Sequence, residues 1–342
     1  MLKYAKHCSL GIISLAACLL AVGMFTACAG ENSPILPNEI IPVDVPSLSP
    51  EVSPVESAAP TPASLRYENV PSAAANYGAL VLVNYLSKYE HTEDALSMTA
   101  HIGDNKSKNL LLTGSDLRLM PDTIHALNEF ADGFFEATGG DRLLATSAFR
   151  TLEYQQQVYV QYVKERGEEM AKLYVADPGC SEHHTGYAVD LSTICADGAR
   201  VPLIDHERFD WVNANCAAYG FILRYPVGSE GITRVAYEPW HFRYVGREHA
   251  ALITELDMLY EEYVEHLRVY TADTEVLYAA YNADGGVDVK PVKIADAERG
   301  GFIVYYVKAE SGDTTNIPLP DECLEYSVSG DNAGGFIITV KL

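Results

Sequence analysis

Two short segments, well separated along the chain, carry side chains that have to meet in space. The first is Ser181-Glu182-His183-His184-Thr185-Gly186-Tyr187-Ala188-Val189-Asp190, and the second is Glu238-Pro239-Trp240-His241. His183, Asp190 and His241 form a set of two imidazoles and one carboxylate. Such a set leaves a divalent ion an open fourth position, as catalytic zinc requires, although iron can use the same trio. This demand constrains the fold. A turn running into a strand brings His183 and Asp190 to one point, Gly186 permits the tight path, and His241 must arrive on a neighbouring strand. Glu238, just before His241, can then reach a water at that point without being a ligand. In an extended segment His184 points away from His183, and it is read as non-ligating. Taken singly, each residue has an ordinary explanation: a surface histidine, a turn acid, a solvated charge before proline. Two separated segments that each have the required spacing are not explained so easily.

The chain of 342 residues has room for one large domain or two ordinary ones, and its 48% hydrophobic content supports a sizeable core. A formal charge of -23 argues against nucleic acid and anionic membrane surfaces as partners. It leaves an anionic substrate open, because one well-placed arginine can hold a carboxylate. Lys3 and Lys6 precede an apolar run over residues 10–25, and Phe25-Thr26-Ala27-Cys28 follows. Residues 1–28 therefore read as a signal peptide that resembles a bacterial lipobox, with Cys28 lipidated and the membrane met only through that lipid. Simple secretion and an uncleaved anchor are the alternatives, and all three place the mature chain outside the cytoplasm. Residues 29–65, rich in Pro, Ser, Glu and Ala without apolar periodicity, read as a disordered tether. Cys180, Cys195, Cys216 and Cys323 remain beyond the leader; they allow three pairings, or none if they are free thiols.

The periodicity predicts a strand over 79–85, a helix over 121–138 with its stripe at Ile124, Leu127, Phe130, Ala131, Phe134 and Phe135, and a strand over 143–149. A long helix over 153–175 and a strand over 186–191 follow. Asp205 is placed to cap a helix that runs to Tyr219. Residues 221–225 and 241–245 read as paired strands, with 228–231 turning between them, and 247–270 as a final helix. This order predicts an α+β fold, a small antiparallel sheet with flanking helices, over residues 66–270. Residues 271–342 carry short β runs between Gly, Asp and Asn turns and read as a small all-β appendage of unassigned role. At about seventy residues such a piece is near the lower limit for folding alone.

Taken together, the pattern S-x-H-x-x-G-x-A-x-D followed by E-x-W-H resembles the VanY-type D-alanyl-D-alanine carboxypeptidases, zinc enzymes of bacterial cell-wall metabolism. Ser147-Ala148-Phe149-Arg150 with Gln155 is similar to a third family segment, and Phe221-Ile222-Leu223-Arg224-Tyr225-Pro226 to the approach to the second metal motif. The departures are Ala148 for glycine, Phe149 for tyrosine and His184 where an amide is common; none is a metal ligand. The resemblance covers residues 79–250 and implies one zinc ion on His183, Asp190 and His241, with Glu238 as catalytic base. It also implies Arg150 over the scissile carbonyl or the terminal carboxylate, and Ser181 and Gln155 at the peptide end. Trp240 and Tyr187 flank the ligands as candidates for the substrate wall, with Tyr237 beside them. Of Trp240, Phe242 and Tyr244, at least one is expected in the core, while Arg224, Arg243 and Arg247 read as structural ion-pair formers. The activity implied is hydrolysis of the terminal D-alanine from peptidoglycan stem peptides. An L,D-carboxypeptidase acting on tetrapeptide stems would use the same zinc, base and arginine. A wall-binding lipoprotein without turnover is the rival from another class, and the presence of Glu238 counts against it.

Overall fold

The helix Pro121–Thr138 starts with proline in its first turn, where a missing N–H costs nothing. Its stripe of Ile124, Leu127, Phe130, Ala131 and Phe134 is buried against Leu143, Ala145, Val189, Leu191, Phe221 and Phe242. Phe130 sits at the middle of this core, with ring centres 5.8 Å from Phe221 and 6.0 Å from Phe242. The computed structural model describes residues 64–321, 323 and 325–342. The leader with Cys28, and all but the last residues of the tether, lie outside the described residues.

The sheet beneath this helix runs, edge to edge, Leu110–Leu112, Arg142–Ser147, Ala188–Ile194, His241–Tyr244 and Phe221–Leu223, with Arg200–Val201 also pairing on Ala188–Ile194. Only the first pair is parallel. Register decides what this sheet can do. Asp190 lies opposite Ser147 on one side and opposite His241 on the other, so three polar residues stand in a row across three strands. Because strand side chains alternate, Val189, Leu191 and Phe242 go to the opposite face and into the core. Phe242 is thus the core member among the three aromatics of the second motif.

Residues beyond Thr271 form a five-stranded antiparallel sheet in the order Val287–Val292, Val276–Tyr281, Phe302–Lys308, Gly335–Lys341, Glu325–Gly330. Both of its faces are covered. Leu277, Ala279, Val304 and Ile337 pack on Leu252, Ile253, Tyr260, Tyr263 and Leu267 from the helices Arg247–Glu255 and Tyr260–Leu267. Val276, Tyr278, Ile303, Tyr305 and Phe336 pack with Ile317 and Leu319. The strand Thr314–Pro320, which carries Ile317 and Leu319, pairs antiparallel with Leu65–Pro71 from the start of the described chain.

Several local expectations are corrected. Residues 79–85 form no strand; Val81 and Val83 are buried with Tyr89, but the segment has a turn and bends. The 153–175 helix is two, Leu152–Arg166 and Glu168–Tyr174, broken at Gly167, whose φ of 89° no helix accepts. The 247–270 helix is also two, interrupted at Asp257 with φ 50°. Asp205 ends a 3-10 turn, and the helix Phe209–Asn215 starts after it without a side-chain cap. Cys180, Cys195, Cys216 and Cys323 are all free thiols.

One buried histidine ties the two halves together. The His249 ring, on Arg247–Glu255, meets the Tyr263 hydroxyl and Thr339 Oγ1, each at 2.7 Å. Burial pushes its pKa down to about 4, with Glu248 opposing the shift. In the unfolded chain the ring titrates near 6.5, so between these values the unfolded state binds more protons. The stabilisation is therefore complete above pH 6.5 and lost as pH falls through about 4, on the order of 3 kcal/mol for this shift. Urea midpoints measured across that window should fall with pH, and His249→Asn should flatten that dependence. An unchanged slope in the variant would rule out His249 as its source.

Candidate metal and catalytic site

The segment after Ser147 docks on the 3-10 turn Glu182–Thr185 through a set of fixed hydrogen bonds. The Arg150 amide donates to the His183 carbonyl at 3.1 Å, and His183 Nδ1 donates to the Ala148 carbonyl at 2.7 Å. A carbonyl can only accept, so Nδ1 carries the proton and Nε2 keeps its lone pair. Gly186 closes the turn with φ 75°, and a Cβ there would stand 2.9 Å from Thr99 Cγ2, so only glycine suits the path. The chain then enters Ala188–Ile194 with Asp190 on the same side as His183.

His183, Asp190 and His241 each offer one ligand atom, and these atoms all lie within 4.8 Å of one another. His183 Nε2 is 3.3 Å from Asp190 Oδ2, and His241 Nδ1 is 3.1 Å from Asp190 Oδ1. The two imidazoles meet edge to face, with ring centres 5.0 Å apart. Glu238 Oε2 stands 3.7 Å from His241 Nδ1, beside the cluster. Each ring's other nitrogen is already engaged, by the Ala148 carbonyl for His183 and by Glu182 Oε2 at 3.4 Å for His241. Two imidazole nitrogens and one carboxylate, oriented by a second set of partners, are the donor set that a zinc-type ion accepts.

Charge follows from this crowding. Burial lowers the His183 pKa to about 4, with Arg150 adding to the shift. Burial also acts to lower His241, but Asp190 and Glu182 outweigh it and raise it to about 9. Asp190 is held well below its ordinary value by His183 and His241 despite a burial effect that would raise it. Glu238 is 7% exposed and moves the other way. Burial pushes it up to about 8, with Asp190 and Glu182 adding to the rise and His241 and Arg150 opposing it.

Arg150 reaches the cluster from the side, with Nη2 3.2 Å from Asp190 Oδ2. Ser147 Oγ accepts from its Nε and Nη2 at 3.0 and 2.7 Å, and Gln155 Oε1 from its Nη1 at 3.2 Å. Gln155, buried, gives its own amide to the Ala176 carbonyl at 2.8 Å. It therefore braces Arg150. His184 is not at the cluster: its Nε2 accepts from the Gly179 amide at 3.0 Å, and its Nδ1 donates to the Arg150 carbonyl at 2.7 Å. The two adjacent histidines thus divide the work, one facing the cluster and one anchoring the arginine's backbone.

A cavity of about 140 Å³ opens over these groups, and Arg150, Gln155, Ser181, Glu238 and Trp240 line it with the three ligand candidates. Tyr85, Leu173, Tyr174 and Tyr225 also line it. Nothing in the sequence marks these four as wall residues. Tyr187 lies elsewhere: its ring stacks on Tyr244 at 6.4 Å and lines a separate cavity with Glu248, Glu325 and Lys341. Tyr237 is also not among the residues lining the metal-side cavity.

The largest omission from the sequence reading is Glu182. Its carboxylate is fully buried, between Arg224 Nε at 2.8 Å and Arg243 Nη1 at 3.0 Å. Arg224 and Arg243 are thus ion-pair formers as expected, and Arg247 pairs with Glu129 at 2.8 Å on the surface. A buried acid needs cationic partners, so an acidic residue inside a segment destined for burial was the available signal.

A second triplet, Asp141, Cys195 and His206, also lies within 4.8 Å. The Arg208 amide donates to His206 Nδ1 at 3.1 Å, so Nε2 carries the proton and gives it to Asp141 Oδ2 at 3.0 Å. That ring has no lone pair left for an ion.

A family model described as VanY, D-alanyl-D-alanine carboxypeptidase, matches residues 117–247, a span that holds every residue of the cluster. The chain is 27% identical over 269 residues to a D-alanyl-D-alanine carboxypeptidase of Enterococcus faecium, across 77% of this chain and 75% of the relative. It is 37% identical over 143 residues to the bifunctional D-Ala-D-Ala dipeptidase and D-Ala-D-Ala carboxypeptidase VanXYC of Enterococcus gallinarum, covering 38% of this chain and 71% of that one. Among solved structures it resembles the vancomycin-resistance D,D-dipeptidase VanXYg in complex with a D-Ala-D-Ala phosphinate analogue. That likeness has a TM-score of 0.63 and 27% identity, covering 81% of this chain and 99% of the other.

Proposed function

The chain belongs to the VanY family of D-alanyl-D-alanine carboxypeptidases, and on that footing we propose that it is an extracytoplasmic D,D-carboxypeptidase that uses a single zinc ion. Its substrate in this reading is the peptidoglycan stem peptide, from which it removes the terminal D-alanine. The observation that carries the reading is the meeting of His183 Nε2, His241 Nδ1 and Asp190 at one point, with Glu238 alongside. When bound there, zinc supplies an acidified water and a polarised carbonyl.

The chain's own residues account for the rest. Glu238 accepts a proton from the attacking water and passes it to the amine of the departing D-alanine. Its burial suits this exchange, because burial raises the proton affinity of the carboxylate above that of an exposed acid, as a base working near neutral pH needs. Arg150, braced by Ser147 and Gln155, offers fixed N–H donors to a developing oxyanion or to the terminal carboxylate. Ser181 and Trp240, on the cavity wall, border the peptide end. The commitment of the His206 ring to Asp141 supports one ion rather than two. The place outside the cytoplasm, and the lipid at Cys28, rest on the leader sequence.

Purified protein is expected to release D-alanine from a pentapeptide stem, to stop when a chelator removes the metal, and to recover when zinc is restored. Preference for a tetrapeptide stem would reassign it as an L,D-carboxypeptidase. Chelator-resistant release would defeat the zinc assignment.

A further inference from the structure

We propose that Glu182 is a positioning residue that holds the His241 ring with Nδ1 free for the metal, an inference that rests on the zinc reading above. Glu182 Oε1 is occupied by two guanidiniums, Arg224 Nε at 2.8 Å and Arg243 Nη1 at 3.0 Å. Neither arginine can move away. Arg224 is gripped by Glu261 through Nη1 at 2.9 Å and Nη2 at 2.5 Å, and Arg243 Nη2 donates to the carbonyls of Ala79 and Val81, both at 2.9 Å. The Tyr260 ring lies under both guanidiniums, at 5.3 and 5.4 Å.

The orientation of the carboxylate is therefore fixed, and its second oxygen, Oε2, faces His241 Nε2 at 3.4 Å. A carboxylate clamped by two guanidiniums is ionised and can only accept. Oε2 thus accepts from His241 Nε2, and the opposite edge of the ring turns Nδ1 toward Asp190 Oδ1 at 3.1 Å and Glu238, the side on which a metal would take its lone pair. A purely structural acid would need only the oxygen that neutralises the arginines. The second oxygen, aimed at a ligand's far nitrogen, is what a positioning role requires.

Glu182→Gln separates the two roles. Both arginines are donors, so they retain the amide oxygen and turn the amide nitrogen toward His241 Nε2. Two donors then oppose each other, and the ring responds by carrying its proton on Nδ1, where the metal must bind. Zinc affinity, measured by competition with a chromogenic chelator, is expected to fall about 10–100-fold. Glu261→Gln removes a charge from the same arginine network without touching His241, and it should lower zinc affinity much less than Glu182→Gln. In the zinc-loaded wild type, nitrogen-15 spectra of the imidazoles should show an exchange-protected proton on His241 Nε2; this measurement stands even if Glu182→Gln does not fold. Equal zinc affinity in Glu182→Gln, equal losses in both variants, or a zinc-loaded wild type with its His241 proton on Nδ1 would each overturn the proposal. A wild type that takes up no zinc at all would instead bring down the functional reading on which it rests.

Discussion

Replacing Glu238 with alanine is expected to leave a folded protein that still takes up zinc but turns over about 10²–10⁴ times more slowly. The fold should survive because Glu238 contributes to it through its backbone. Its amide donates to the Tyr225 carbonyl at 3.1 Å, and its carbonyl accepts from the His241 amide at 3.2 Å; neither depends on the side chain. The carboxyl itself is buried with its pKa pushed up to about 8, the mark of a group that the surroundings resist ionising. Truncation therefore relieves an unfavourable burial, and the melting temperature should stay level or rise, as with other residues placed for chemistry rather than stability. Metal analysis of the variant and D-alanine release under saturating substrate would check both halves. Near-normal turnover would remove Glu238 from the mechanism, whatever the zinc content.

His183→Ala should do more damage, losing metal and turnover together. One of the three candidate ligand atoms disappears, and so does the 2.7 Å bond to the Ala148 carbonyl that ties the Arg150 segment to the turn. A lost neutral hydrogen bond of that kind costs about 1 kcal/mol in stability. Asp190 is also left with fewer partners for a charge held deep in the protein. The neighbouring His184→Ala provides the contrast. It should keep zinc, because the His184 ring nitrogens are bonded to the Gly179 amide and the Arg150 carbonyl and not to the cluster, and its slower turnover would come through a displaced Arg150. Zinc retained in His183→Ala and lost in His184→Ala would reverse the ligand assignment.

How far the sequence carried the reading differs from element to element. The stripe on 121–138 determined its helix almost residue for residue, because a 3.6-residue period is a local property. The strand His241–Tyr244 was equally legible: polar His241 and Arg243 alternate with apolar Phe242 and Tyr244. Residues 79–85 misled because their apolar content is real, with Val81 and Val83 buried. What the sequence did not show is that the Ala79 and Val81 carbonyls are satisfied by the Arg243 side chain, not by a neighbouring strand. The helix breaks at Gly167 and Asp257 were hidden for a similar reason. Apolar spacing continued past both, while the backbone turned to follow the core.

The site divides in the same way. Which side chains are present, their order, and the presence of one acid beyond the ligand set belong to the sequence, since residue type fixes what an atom can donate, accept or bind. Which nitrogen of each imidazole faces the cluster depends on partners remote in the chain, Ala148 for His183 and Glu182 for His241. That choice exists only once cross-strand register sets Asp190 opposite His241 and seats Glu182 between Arg224 and Arg243. A hydrogen bond has a direction, and direction is settled by where distant segments come to rest.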